Sequence, residues 1–269
     1  GKTWGYPIAV EAVGLIYNKA LVPTPPATME EIADMKIEGV SSPIMWDYNN
    51  TYFSFPLLMA GGGFAFKKDA SGSYDASTTG VANEGAIAGA SMIKKLIDSG
   101  AMPKGVDYGV MDAAINKGET AMVINGPWAW ANLKTSGIDF GVAPIPSVGG
   151  HPSKSFVGVL AAVINSASPN KDIAREFIEN YLLSDEGLKM INDDVPLGAV
   201  ASISFSKQVE GDPNIAATLA NAQNGVPMPS NPEMGKFWAA MGPALTAITN
   251  GQATVEDALK DAEKRILAK

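Results

Sequence analysis

Apolar residues along the chain switch repeatedly between short dense runs and helical spacing, and this alternation predicts an α/β fold. Tyr6 to Tyr17 reads as one or two buried strands. Thr28 with Glu31 forms a capping box that opens the first helix. Ile44-Met45-Trp46 reads as a strand leading through a loop into a short helix near Tyr52, which Gly61-Gly62-Gly63 ends. The turn from Lys67 to Tyr74 predicts a hairpin. Between Asn83 and Ser99, Ala86, Ala90, Ile93 and Ile97 recur at steps of four and three, which puts them on one helical face ended by Gly100. A further helix follows Asp107 and stops at Gly118. Thr120 to Ile124 reads as a strand that breaks at Asn125-Gly126-Pro127 into a helix beginning with two Trp residues. Pro127 suits a first helical turn, where a missing N–H costs nothing.

Phe156 to Ile164 reads as one more strand, buried from Val157 onwards. Beyond it the pattern is almost wholly helical. Ser168-Pro169-Asn170-Lys171 opens a helix running to Leu183, and Thr254 caps the last one. No repeat, low-complexity tract or flexible linker interrupts the chain, so two domains would be joined by crossing strands.

Composition narrows the function. With 269 residues the chain is long enough for two domains or one large one. Hydrophobic residues at 46% and charged residues at 18% describe a folded globular chain. The net charge of −8, with scattered Lys and Arg, argues against nucleic acid, which requires a clustered basic surface. No apolar run approaches the roughly 20 residues needed to span a bilayer. The lack of Cys excludes disulfides, thiolate zinc sites and cysteine nucleophiles, and fits an oxidising compartment. The opening Gly1-Lys2-Thr3, without Met and next to an apolar strand, reads as a cut inside a longer precursor.

Catalytic patterns are scarce. The one histidine, His151, sits in the turn-like Gly149-Gly150-His151-Pro152, which rules out a His-rich metal site and argues against a Ser-His-Asp triad. No GxSxG elbow, Walker A loop or dinucleotide fingerprint occurs. Ser168 and Lys171 match a serine–lysine pattern but read better as a helix start. Asp69, Ser71 and Ser73 resemble the beginning of a calcium loop, yet the ligand spacing stops there and a hairpin turn fits better. Glu11 and Asp47 are the carboxylates a glycosidase would need. Glu11 lies within Ala9-Val10-Glu11-Ala12-Val13, where a charge must emerge at an edge or meet a partner. The sequence marks no obvious second acid with an elevated pKa, so the expectation is a chain that is not an enzyme, with no cofactor and no metal.

Several aromatic residues instead stand at element ends beside polar groups. Tyr52 and Phe53 follow Asn49-Asn50-Thr51, Trp128 and Trp130 follow Asn125, and Phe237 and Trp238 follow Asn231-Pro232. A sugar ring, with apolar C–H faces and a hydroxyl rim, is held by flat aromatic faces and a few fixed donors and acceptors. Helix starts add free backbone N–H groups.

The segments Tyr6–Ala12 (YPIAVEA), Asn116–Met122 (NKGETAM), Ile124–Trp130 (INGPWAW), Phe156–Leu160 (FVGVL), Ala167–Lys171 (ASPNK), Glu179–Leu183 (ENYLL) and Pro196–Val200 (PLGAV) closely resemble the maltose/maltodextrin-binding proteins of Gram-negative bacteria, in order along essentially the whole chain. The resemblance implies a type II periplasmic-binding-protein fold of two α/β lobes around a cleft. It further implies a periplasmic binder of maltose or maltodextrin that serves the membrane subunits of an ABC importer. It makes Glu11 a hydroxyl acceptor at the hinge edge, Tyr52, Trp128 and Trp238 the stacking faces, and Phe53 and Met228 supporting walls. The chain departs from the family's pattern at Asn50, where a carboxylate is usual but an amide still donates and accepts, at Ala239 in place of Tyr, and at Gly242 in place of Arg. These departures bear on affinity and preferred chain length, and leave another oligosaccharide as the alternative ligand.

The family's long first segment has no counterpart here. By resemblance, residues 1–10 are the end of the N-terminal lobe and a hinge strand, 11–156 the first segment of a nearly complete C-terminal lobe, 157–213 a remnant of the N-terminal lobe with hinge crossings, and 214–269 the second C-terminal-lobe segment. Helices around Ile173, Phe177 and Leu182 then lack packing partners, so the missing segment or a swapped neighbour is expected to cover residues 161–207.

Overall fold

A computed structural model describes residues 4–268. Gly1-Lys2-Thr3, and the ends of the expected segments at 1–3 and 269, lie outside the described residues. The first half runs β1 (Tyr6–Glu11), β2 (Gly14–Asn18), α1 (Met29–Asp34), β3 (Ser42–Met45), α2 (Thr51–Ala60), β4 (Lys67–Lys68), β5 (Tyr74–Asp75), α3 (Glu84–Asp98), α4 (Tyr108–Asn116) and β6 (Thr120–Asn125). A 3₁₀ turn (Pro127–Ala129) leads into α5 (Trp130–Thr135), β7 (Phe140–Ala143), β8 (Phe156–Ala162) and α6 (Lys171–Phe177). A π-helical turn (Ile178–Leu182) precedes α7 (Asp185–Asp194), β9 (Ala199–Val200), α8 (Ile203–Val209), α9 (Pro213–Asn224), β10 (Val226–Pro227), α10 (Met234–Thr249) and α11 (Val255–Leu267).

Local chemistry accounts for many of these boundaries. Asn83, Asp107 and Thr254 each accept the backbone N–H that opens α3, α4 and α11. Gly100 and Gly118 end the first two in the left-handed region. Two expected caps differ in detail. Thr28 Oγ1 accepts from Glu31 N at 3.1 Å, but the Glu31 carboxylate reaches Ala27 N at 3.0 Å instead of closing a box on Thr28. The helix expected to begin at Ser168 starts after Asn170, and Ser168 Oγ accepts from Asn170 N.

The strands form two four-stranded sheets, ordered β10-β8-β1-β9 and β3-β6-β2-β7, plus the β4-β5 hairpin. β1 and β8 pair antiparallel, with Glu11 opposite Gly158 and Val10 opposite Val159. The register shifts between Pro7 and Ala9, where a residue without an N–H interrupts the ladder.

Two apolar cores follow the two sheets. The larger joins residues from Val13 to Phe156 with a later group from Met234 to Ile266. The smaller comprises Ile8, Ala9, Leu188, Leu197 and Phe205, with Leu182, Leu183, Ile191 and Val200 packed against it. The expectation of a buried strand after Val157 is overturned: along β8, Val159 is 65% exposed, and Val163 just beyond is 68% exposed. Ile173, Phe177, Tyr181 and Met190 are exposed as well, with Phe177 stacked on Tyr181. Among the described residues, no helix is long and apolar enough to cross a membrane.

Helices of the larger core approach unusually closely. A Cβ on Gly85 or Gly89 of α3 would collide with the backbone of Gly61 or Leu57 at the facing end of α2. In α10, Pro243 cannot donate to the carbonyl of Ala239 four residues back, and Arg265 Nη2 from α11 supplies that bond at 3.2 Å. Gly89→Ala is expected to destabilise the fold by about 1–3 kcal/mol through overpacking. Urea unfolding checks this, and an unchanged midpoint would contradict the close approach.

Candidate functional site

The ends of β1 and β8 meet the larger core at an aromatic cluster. Phe156, the first residue of β8, stacks on Phe55 of α2, with centroids 5.2 Å apart and planes at 8°. Its other neighbours are Phe237 at 6.1 Å and Trp238 at 5.8 Å, both edge-on. This burial ties α2, β8 and α10 together, and residues from all three elements stand around it.

Glu11 closes β1, half-buried opposite Gly158. Burial alone raises its carboxyl above the ordinary value, and among the described residues it has no ion-pair partner. The Tyr52 phenol is pushed up to about 12, first by burial and second by the charge on Glu11, so the two groups share one environment. Tyr52 therefore stays protonated and able to donate at neutral pH.

Asn50 caps α2: its Oδ1 accepts from Tyr52 N at 3.1 Å, and its backbone N–H donates to the carbonyl of Asp47, whose carboxyl burial pushes up. Part of the polar capacity expected of Asn50 is thus spent on orienting Tyr52. Pro56, also within α2, has no N–H to offer the Tyr52 carbonyl, which loses its usual helical donor.

A cavity of about 400 Å³ brings together Asn50, Tyr52 and Trp238 with Asn49, Thr51 and Gly242. None of these six carries a charge. A larger cavity of about 690 Å³ is lined by Met228, Gly158, Val157 and Tyr74 among others. It contains only one of the expected ligand residues, Met228, whose N–H bonds Val157 O at 3.0 Å. The smaller cavity is the better site because it gathers the aromatic faces, although the larger has more volume.

Four expected residues, Glu11, Phe53, Trp128 and Met228, sit apart from that lining. Phe53 is only 6% exposed and braces Tyr52 edge-on at 5.5 Å. Trp128 is half-buried on the 3₁₀ turn, folded back so that a Cβ on Gly126 would strike its indole, and it lines neither cavity. A chain of contacts links it inward. Asn125 Oδ1 accepts from Gly126 N at 2.9 Å, Asn125 Nδ2 donates to the Tyr108 hydroxyl at 3.5 Å, and Tyr108 packs on Phe53 at 6.1 Å. Trp130 and Phe237, also singled out by the pattern, are core residues.

The linking residues Asn125 and Tyr108 were not legible as site residues, since Asn125 signals only a chain break and Tyr108 a helix start. The weak catalytic patterns dissolve in the structure. Asp69 Oδ1 accepts from Ser71 N at 2.8 Å and Ser73 N at 3.0 Å inside the hairpin turn, and His151 is an exposed turn residue.

The raised carboxyl of Glu11 gives a signed expectation. Its folded-state value lies above the unfolded value of about 4.3, so the folded state binds the proton more tightly. Stability then falls as pH rises from the unfolded value through the raised folded value, and the loss persists above it. Glu11→Gln removes this penalty, so urea unfolding should show the variant gaining on the parent as pH rises above the unfolded value of about 4.3. A stability difference that does not change with pH would contradict it.

Comparison with known proteins adds an independent line. The family model described as bacterial extracellular solute-binding protein matches residues 1–217. A galactooligosaccharide-binding protein of Bacillus subtilis (strain 168) is 28% identical over 97% of this chain and 64% of its own length. A maltooligosaccharide ABC transporter solute-binding lipoprotein of Streptococcus pneumoniae (strain ATCC BAA-255 / R6) is 27% identical over 97% of this chain and 64% of its own. A maltotriose-binding protein of Pyrococcus abyssi is 27% identical over 99% of this chain and 60% of its own. The chain thus spans less than two thirds of the length of these relatives. The mixed α/β architecture is that of the periplasmic-binding-protein fold, and the chain belongs to the bacterial extracellular solute-binding protein family.

Proposed function

We propose that this chain binds a neutral oligosaccharide, with maltodextrins as its ligands, in the periplasm or at the outer cell surface, and serves the membrane subunits of an ABC importer. The observation that carries the reading is the uncharged cavity bounded by Tyr52 and Trp238, with Tyr52 also feeling the charge of the half-buried Glu11. Aromatic faces accept the C–H side of a sugar ring, and a carboxylate accepts its hydroxyls. In this reading Asn50 fixes Tyr52, Phe53 braces it, and Trp128 and Met228 flank the site. The names of the maltooligosaccharide- and maltotriose-binding relatives point the same way. The galactooligosaccharide-binding relative favours a second reading, in which another oligosaccharide is the ligand.

The site suits binding more than hydrolysis. Burial alone raises Glu11, whereas paired catalytic carboxylates act on one another. In our reading the larger core is one lobe, built from 11–156 and 214–269, and the smaller core belongs to a second lobe that includes 1–10 and 157–213. Further polypeptide, from the same protein or a swapped neighbour, covers the exposed apolar face over 161–207. That face is more apolar than a solvated surface tolerates.

Calorimetric titration with maltotriose and a galactooligosaccharide tests the ligand. Glu11→Ala should weaken binding by about 2 kcal/mol, roughly thirtyfold, the loss of a hydrogen bond to a charged group. Trp238→Ala should weaken it as well, and no glucose should be released on incubation. Unchanged affinity in both variants would place the sugar elsewhere, and tighter galactooligosaccharide binding would establish the second reading.

A further inference from the structure

A glycine in the left-handed region usually stands at an open turn, where only the backbone asks for it. That holds for most of the eleven glycines with positive φ among the described residues. Nine of them would place a Cβ in open space, and Gly118 would bring one no closer than 4.0 Å to Ile138. Gly198, with φ of 73°, is the exception: a Cβ there would lie 2.7 Å from Pro127 Cγ and 3.3 Å from Thr218 Cγ2. Backbone and space both demand glycine at this one position.

Neither wall can retreat. The ring of Pro127 is rigid, and it opens the 3₁₀ turn directly after β6. Thr218 is buried on α9, which is fastened to β7 by two amides. Asn214 Oδ1 accepts from Val142 N at 3.0 Å, and Asn221 Nδ2 donates to Ala143 O at 3.3 Å. Gly198 is held from the other side. Leu197 is buried in the smaller core and its N–H donates to Asn192 Oδ1 at 3.1 Å, while Ala199 pairs with Val10 of β1. Here, then, the chain of the smaller core presses on a turn of the larger one.

That turn carries Trp128, whose indole lies so close over Gly126 that a Cβ would strike its six-membered ring. Asn125 holds the start of the turn through Gly126 N, and Pro127, the next residue, rests on Gly198. We infer that Gly198 is a positioning residue for Trp128: its missing side chain lets the smaller core abut Pro127 and so hold the turn with the indole folded over Gly126. The effect on binding rests on the oligosaccharide reading, in which Trp128 flanks the site. The effect on the indole does not.

Fluorine NMR of protein labelled with 5-fluorotryptophan, with the Trp128 resonance assigned by Trp128→Phe, tests the inference in Gly198→Ala, Pro127→Ala and the double variant. Gly198→Ala should shift the Trp128 resonance, leave that of Trp238 in place, and weaken maltotriose binding roughly tenfold. Pro127→Ala removes the ring carbon that a Cβ at 198 would strike. In that background Gly198→Ala should move the Trp128 resonance and the melting temperature much less. A role for Gly198 in backbone conformation alone predicts the same loss of melting temperature with or without the proline ring, and an unmoved Trp128 resonance; that result overturns the inference. If Gly198→Ala alone does not fold, folding of the double variant supports the inference, and failure of both overturns it. A shifted Trp128 resonance with unchanged maltotriose affinity removes Trp128 from the sugar site while the positioning role stands.

Discussion

The antiparallel pairing of β1 with β8 is the constraint on which the rest depends. These strands begin in one core and end in the other: Ile8 and Ala9 belong to the smaller, while Phe156 is buried in the larger. A slip of one residue would turn every side chain of the pair to the opposite face. The slip is opposed at the end where it matters, because Phe156 is locked between Phe55, Phe237 and Trp238. The same lock places Glu11 opposite Gly158 and brings α2 and α10 together, so that Tyr52 and Trp238 line one cavity. Site geometry is therefore a by-product of aromatic burial.

This arrangement puts a carboxylate where its charge is costly. Glu11 has no cation beside it among the described residues, and burial raises its carboxyl. Such a group is disfavoured in a free protein and improved by a ligand that donates hydroxyls to it. Strain of this kind is expected at a binding site, and membership of a solute-binding family agrees with it.

Much of this was legible in the sequence, and the rest was not for physical reasons. Caps, stops and periodicity marked α3, α4, α11 and the β4-β5 hairpin, because each is set by local chemistry at named residues such as Asn83, Asp107 and Thr254. The dense apolar run after Val157 misled, since apolar composition states a preference for burial but cannot show whether a second layer is present to provide it. At the site, the gathering of Tyr52, Asn50 and Trp238 agrees with the aromatic pattern. The roles of Asn125 and Tyr108 depend on contacts between residues far apart in the chain, which no local signal encodes. Asn50 looked like a free polar group and is largely a helix cap, a use that its position before α2 also foretells.

The most direct test of the central claim is a crystal structure of the protein with a linear maltodextrin bound. The account predicts sugar rings against Tyr52 and Trp238, a hydroxyl hydrogen-bonded to Glu11, and no charged side chain on the rings at Gly242. Density for the sugar in the cavity beside Tyr74 and Met228, with Tyr52 and Trp238 untouched, would contradict it.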